Sequence, residues 1–152
     1  MSIRVLLWAV ALVSLTTSTQ PLRRGHAATC SPTTTPPGVR YGNEFLSTVL
    51  WPDGRVIFRP GGSGFSFPNG ALEMKFPWWR LVKGHLRIEG HRLDNPAPPL
   101  QAHIPEGYGD LGFQATGLVF PTVGCWEVTG RIGEGHLTFV TEIVRSGGGS
   151  PR

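Results

Sequence analysis

The stretch GCWEVTGRIGEGHLTFVTEIV, residues 124–144, decides the fold. It reads as a strand from Cys125 to Thr129, a tight Gly130-to-Gly135 connection and a second strand from His136 to Val144. The run His136 to Ser146 is also the longest after residue 27 that contains neither Gly nor Pro. Eleven residues leave no room for a long amphipathic helix, and Gly 21 and Pro 14 break up the rest of the 152-residue chain. Helical bundles, Rossmann folds and (β/α) barrels are therefore disfavoured, and an all-β domain remains.

Upstream, His85-Leu86-Arg87-Ile88-Glu89 alternates cleanly, with Leu86 and Ile88 inward and the polar residues outward. Leu72, Met74 and Phe76 alternate with Glu73 and Lys75 in the same way. Phe113 to Phe120 reads as a strand, and Leu100 to Ile104 as an edge strand behind the prolines at 96, 98 and 99. Phe45 to Trp51 and Arg55 to Arg59, joined by Pro52-Asp53-Gly54, read as a hairpin. Seven to nine short strands with short connections predict an antiparallel sandwich or small barrel.

The first 27 residues carry Arg4 and an uninterrupted apolar run from Val5 to Leu15, the length of an export signal and too short to span a bilayer. Cleavage is expected after Ala27, with Thr16-Thr17-Ser18 as an earlier alternative. Residues 28–40 form a Pro/Thr-rich extended leader, residues 41–145 the folded domain, and residues 146–152 a Gly/Ser tail. Two cysteines in an exported chain predict a Cys30–Cys125 disulfide; the alternative is a lipidated Cys30, the one circumstance that brings a membrane in. The expected location is extracytoplasmic.

Three of the fourteen basic residues, Arg4, Arg23 and Arg24, lie in the signal, so the mature chain is nearly neutral despite a formal charge of +4. Arg55, Arg59, Arg80, Arg87, Arg92 and Arg131 are interleaved with Glu73, Glu89, Asp94, Glu127 and Glu134, which argues against the positive stripe that nucleic acid requires.

No complete catalytic set, metal set or cofactor motif is present. His85 and His91 on one extended strand stand roughly 20 Å apart, too far for one ion. Cys125 and His136 lack the methionine of a blue-copper site. Ser63 in Gly61-Gly62-Ser63-Gly64 lacks the pattern of a nucleophile elbow. Glu106 and Asp110 flank Gly107-Tyr108-Gly109 and are the only candidates for a small hydrolase or carbohydrate-active enzyme, or for weak Ca²⁺ binding. The most suggestive segment is Phe76-Pro77-Trp78-Trp79-Arg80. In an extended chain one Trp faces in and the other out, and an exposed indole near Arg80 and Tyr108 suits stacking on a sugar ring or anchoring a protein. Trp78, Trp79, Arg80 and Tyr108 are thus the candidate binding residues of a non-catalytic module, with a purely structural lipoprotein as a further alternative.

The segment FPTVGCWEVTGRIGEGHLTFVTEIV (120–144) resembles the last two strands of immunoglobulin-like sandwiches, although Val123 stands where a tyrosine corner has Tyr. No cysteine falls on a second strand, so a disulfide here is not the intersheet one. More broadly, KFPWWR (75–80), GHRLDNPAPPL (90–100), GYGDLGFQATGL (107–118) and GCWEVTG (124–130) resemble a family of uncharacterised bacterial exported proteins. That resemblance implies an immunoglobulin-like β-sandwich and an exported location, and no activity.

Overall fold

The computed structural model describes residues 29–147; the expected export signal and the tail from residue 148 lie outside them. The described residues form ten strands and one 3-10 turn, Pro52–Gly54. One sheet runs β1 (Tyr41–Gly42), β2 (Leu46–Thr48), β5 (Leu72–Arg80), β8 (Gly112–Phe120), β7 (Gln101–His103), with β4 (Phe65–Ser66) also paired to β5. The other runs β3 (Arg55–Phe58), β10 (Gly135–Arg145), β9 (Gly124–Ile132), β6 (Arg87–Arg92). The two sheets face each other as a sandwich, not a closed barrel.

The period-2 pattern of each long strand supplies the core. Leu72, Met74, Phe76 and Trp78 of β5 and Leu118 and Phe120 of β8 meet Trp126 and Val128 of β9 and Phe139 and Ile143 of β10. The aromatic rings knit the layers: Phe76 lies 5.9 Å and Trp78 6.0 Å from Phe139, and Phe120 sits edge-on to Trp126 at 5.6 Å. Leu86 is buried and Arg87 and Glu89 exposed, as their alternation predicts. The strand itself begins at Arg87 and continues to Arg92.

Three expectations are corrected. Phe45 to Trp51 and Arg55 to Arg59 are not a hairpin: β2 belongs to one sheet and β3 to the other. The turn between them takes positive φ at two successive residues, Asp53 (56°) and Gly54 (65°), and carries the chain across the sandwich. An added Cβ on Gly54 would sit 2.5 Å from Pro32 Cβ, so glycine serves both the turn and a close crossing by the leader. Second, pairing is not wholly antiparallel, because β3 lies parallel to β10 from Arg55↔Glu142 to Phe58↔Arg145. Third, Gly130 is no turn residue. It lies inside β9 opposite Leu137, and its missing Cβ leaves room for the Trp78 ring. The reversal is the two-residue Gly133-Glu134 turn, with Gly133 at φ 53°, the sign that twist-matched hairpins take at the first central position.

The leader lies against the domain. Cys30 is bonded to Cys125 with Cα atoms 5.5 Å apart. Thr33 N donates to Val140 O at 2.8 Å, and Thr33 Oγ1 accepts from Val140 N at 2.9 Å. Further along the same edge of β10, Tyr41 Oη donates to Thr138 O and Asn43 Nδ2 to His136 O. Beyond Val140, β3 takes over as partner. The edge of β10 that faces away from β9 is thus covered along its length, which removes a template for unwanted strand pairing.

Candidate functional site

The β5 phase that buries Phe76 and Trp78 sends Glu73, Lys75, Pro77 and Trp79 to the outer face of the six-stranded sheet. Trp79 pairs in register with Phe113 on β8 and with Ser47 on β2. Its ring lies 5.4 Å from that of Phe113, and Phe113 lies edge-on to Tyr108 at 5.9 Å. On the other flank the Arg40 guanidinium stands 4.5 Å above the Trp79 ring. Arg40 reaches across the small residues Gly42 and Ser47, which pair between it and Trp79. The result is a band across the sheet in the order Arg40, Trp79, Phe113, Tyr108. Trp79 is half-buried, whereas Phe113 and Tyr108 are 45% and 37% exposed.

Of the four residues singled out from sequence, two do not reach this surface. Trp78 is 0% exposed and packs on Gly130 between the sheets. Arg80, 2% exposed, also points inward, and its charge is met by backbone carbonyls. It donates to Gly109 O at 2.7 Å, Tyr108 O at 3.0 Å and Gly84 O at 3.2 Å. Gly107, Gly109 and Gly112 all take positive φ, which lets this loop turn its carbonyls toward one guanidinium. Gly84 N in turn donates to Asp110 O. Arg80 is therefore a positioning residue: it holds the Tyr108 backbone while the Tyr108 ring rests against Phe113.

Phe113 and Arg40 escaped the sequence reading. The outward phase of Phe113 was available from β8, where Thr116, Leu118 and Phe120 set the inward phase. Nothing local marks Arg40, because its contact with Trp79 depends on two strand pairings.

Beyond the band the outer face is flat and then polar. Pro77 and Ala115 form the next row, followed by Lys75, Gly117 and His103. Gly117 leaves space for the Glu73 carboxylate to pass over it and meet His103 Nδ1 at 3.0 Å.

Glu106 and Asp110 line a cleft of about 770 Å³ at the end of the sandwich, together with His85, Tyr108, Arg80 and Gln114. Gln114 Nε2 donates to Pro105 O and braces one wall. Among the described residues no group of three His, Cys, Asp or Glu side chains is placed to hold a metal ion. Ser63 lies in the loop before β4, beside Trp51 and Phe65, with no histidine lining the same groove.

The disulfide occupies both sulfurs, so Cys125 has no thiol to act as nucleophile or ligand, and Cys30 has none to carry a thioether-linked lipid. Cys125 lies on the outward phase of β9 and is buried there. Beside it, Asp94 accepts from Cys125 N at 3.2 Å and from Arg92 Nε at 2.6 Å. The Arg92 guanidinium holds the Asp94 carboxyl below its ordinary range, with the Cys125 amide adding to the effect against the opposing influence of burial. A disulfide suits an oxidising compartment, and among the described residues no helix is long and apolar enough to cross a membrane. Comparison with protein-family models, with curated proteins and with solved structures finds no match.

Proposed function

We propose that the chain is an exported, non-catalytic β-sandwich module of immunoglobulin-like connectivity that binds a cell-envelope glycan on the outer face of its six-stranded sheet. The connectivity is supported by strand order. Labelling β2, β5, β6, β7, β8, β9 and β10 as A to G gives the orders A-B-E-D and C-F-G of an immunoglobulin arrangement, with three further strands: β1 beside A, β4 paired to B and β3 beside G. Export is supported by the disulfide and by the N-terminal apolar run.

The observation that carries the binding reading is the band of Trp79, Phe113 and Tyr108, aromatic side chains from one strand, its register partner and the adjoining loop. Aromatic surfaces with a polar handle are suited to lie against the apolar face of a sugar while its hydroxyls stay hydrated. A glycan fits better than a folded protein because the band continues into the flat Pro77/Ala115 row and then into polar His103 and Lys75, a strip rather than a broad apolar patch. The alternative of a hydrolase or carbohydrate-active enzyme rests on Glu106 and Asp110, which line the cleft at the Tyr108 end of the band together with His85.

Binding of the mature chain to isolated envelope polysaccharide, with Trp79→Ala and Phe113→Ala as variants, tests the reading. Each variant is checked for native near-UV circular dichroism. Loss of binding in the folded variants is expected; undiminished binding in both removes the band from the account.

A further inference from the structure

We propose that the glycan face selects acidic saccharides, with Arg40 as the group that receives a sugar carboxylate; this rests on the glycan-binding reading above. Arg40 shares with Arg59 and Arg87 the lack of a carboxylate partner among the described residues, but of these three it alone stands over an aromatic ring. Arg55, Arg92 and Arg131 are each paired with a carboxylate, Glu142, Asp94 and Glu89 respectively. Arg80 is spent on backbone carbonyls. Arg40 is exposed, and among the described residues it has no carboxylate partner: Glu44 of the β1–β2 loop makes no ion pair with it, and Glu73 on the same sheet face is engaged by His103.

Arg40 lies over the face of Trp79. Stacking on an indole uses the flat face of a guanidinium and leaves its N–H edges free, in the fork that matches a carboxylate with two parallel hydrogen bonds. The cation is thereby held over the Trp79 ring, next to the exposed Phe113 and Tyr108 rings on which a sugar would stack, at low entropic cost.

The band is also polarised. Arg40 stands at one end, and Tyr108 at the other adjoins the cleft lined by Glu106 and Asp110. Lys75, two rows along the same strand face, adds a second cation without an ion-pair partner among the described residues. A ring lying on Phe113 and Tyr108 with its carboxylate toward Arg40 turns its hydroxyls toward the Glu106 and Asp110 end. Hydroxyl donors suit the acids there, whereas a second anion would be repelled. The charge pattern therefore selects an acidic sugar in one orientation.

The test compares polygalacturonate with the same polymer after its carboxylates have been reduced to alcohols, using the mature wild-type chain, Arg40→Gln, Arg40→Lys and Trp79→Ala. A charge-assisted hydrogen-bonded pair at an accessible site predicts about a tenfold preference of the wild type for the acidic polymer. Arg40→Gln should lose that preference, while Arg40→Lys keeps part of it as a point charge without the fork. The preference should shrink at about 0.5 M salt as screening shortens the reach of the charge. Trp79→Ala should lose both polymers. Equal wild-type affinity for the two polymers, or an acidic preference that survives Arg40→Gln, overturns the inference and leaves glycan binding standing. Failure to bind either polymer, with Trp79-dependent binding to isolated envelope polysaccharide retained, overturns the inference alone; failure to bind all three overturns both readings.

Discussion

Replacing both cysteines with serine should weaken the fold severely without changing its architecture. The bridge joins residues 95 apart in sequence, nearly the whole domain. In the chain-entropy picture a loop of that length contributes about 4.7 kcal/mol by restricting the unfolded chain. For a domain of this size each kcal/mol moves the midpoint by about 3–5 °C, so Cys30→Ser/Cys125→Ser should melt about 14–24 °C below the oxidised wild type. Next to the bridge the native contacts of the leader are few: Thr33 makes two hydrogen bonds to Val140, and Pro32 packs on Gly54. Once untethered, that segment should fray before the sandwich opens. Thermal unfolding by circular dichroism reads the first effect. Hydrogen exchange at the Val140 amide, which donates to Thr33 Oγ1, reads the second. A shift below about 3 °C together with unchanged protection at Val140 would refute the reasoning, because the bridge would then neither restrict the unfolded chain nor hold the strap.

Two further expectations concern packing and pH. Gly130→Ala places a Cβ 2.5 Å from Trp78 Cζ3 in the middle of the sandwich, and overpacking there should cost about 1–3 kcal/mol in urea unfolding; an unchanged midpoint would mean that Trp78 moves freely. Asp94 is held below the ordinary carboxylate range, so its share of the stability is fully present above that range and is lost as pH falls through its folded value. Asp94→Asn should accordingly be less stable than wild type at pH 7, and the gap should close as pH falls below the ordinary carboxylate range; a gap independent of pH would show that the Arg92 pairing is not what stabilises the carboxylate.

The phase of the strands was legible and their partners were not. Polar Glu73 and Lys75 set the outward phase of β5, and the same count of two carries it to Trp79 while burying Trp78. It carries on to Arg80 as an inward residue against its polarity, because the carbonyls that its terminal amino groups meet include those of a loop 28 and 29 residues away. Gly130 looked like punctuation because glycine beside Gly133 and Gly135 has the composition of a turn. Its role as the flat seat of Trp78 comes from the opposite sheet. The transfer of β3 to the second sheet had the same cause, since Pro52-Asp53-Gly54 gives the conformation of a turn but not the sheet to which the chain goes next. Arg40 shows the limit most clearly: its place over Trp79 needs the β1–β2 and β2–β5 registers together, with small Gly42 and Ser47 between.

The central claim, that an exposed aromatic band on this sheet binds an envelope glycan, is tested most directly by co-sedimentation of the mature wild-type chain and Trp79→Ala with insoluble cell-wall polysaccharide freed of protein. The account predicts that the wild type sediments with the polymer and that the folded Trp79→Ala variant stays in solution. Equal sedimentation of the two, or none by the folded wild type, contradicts it.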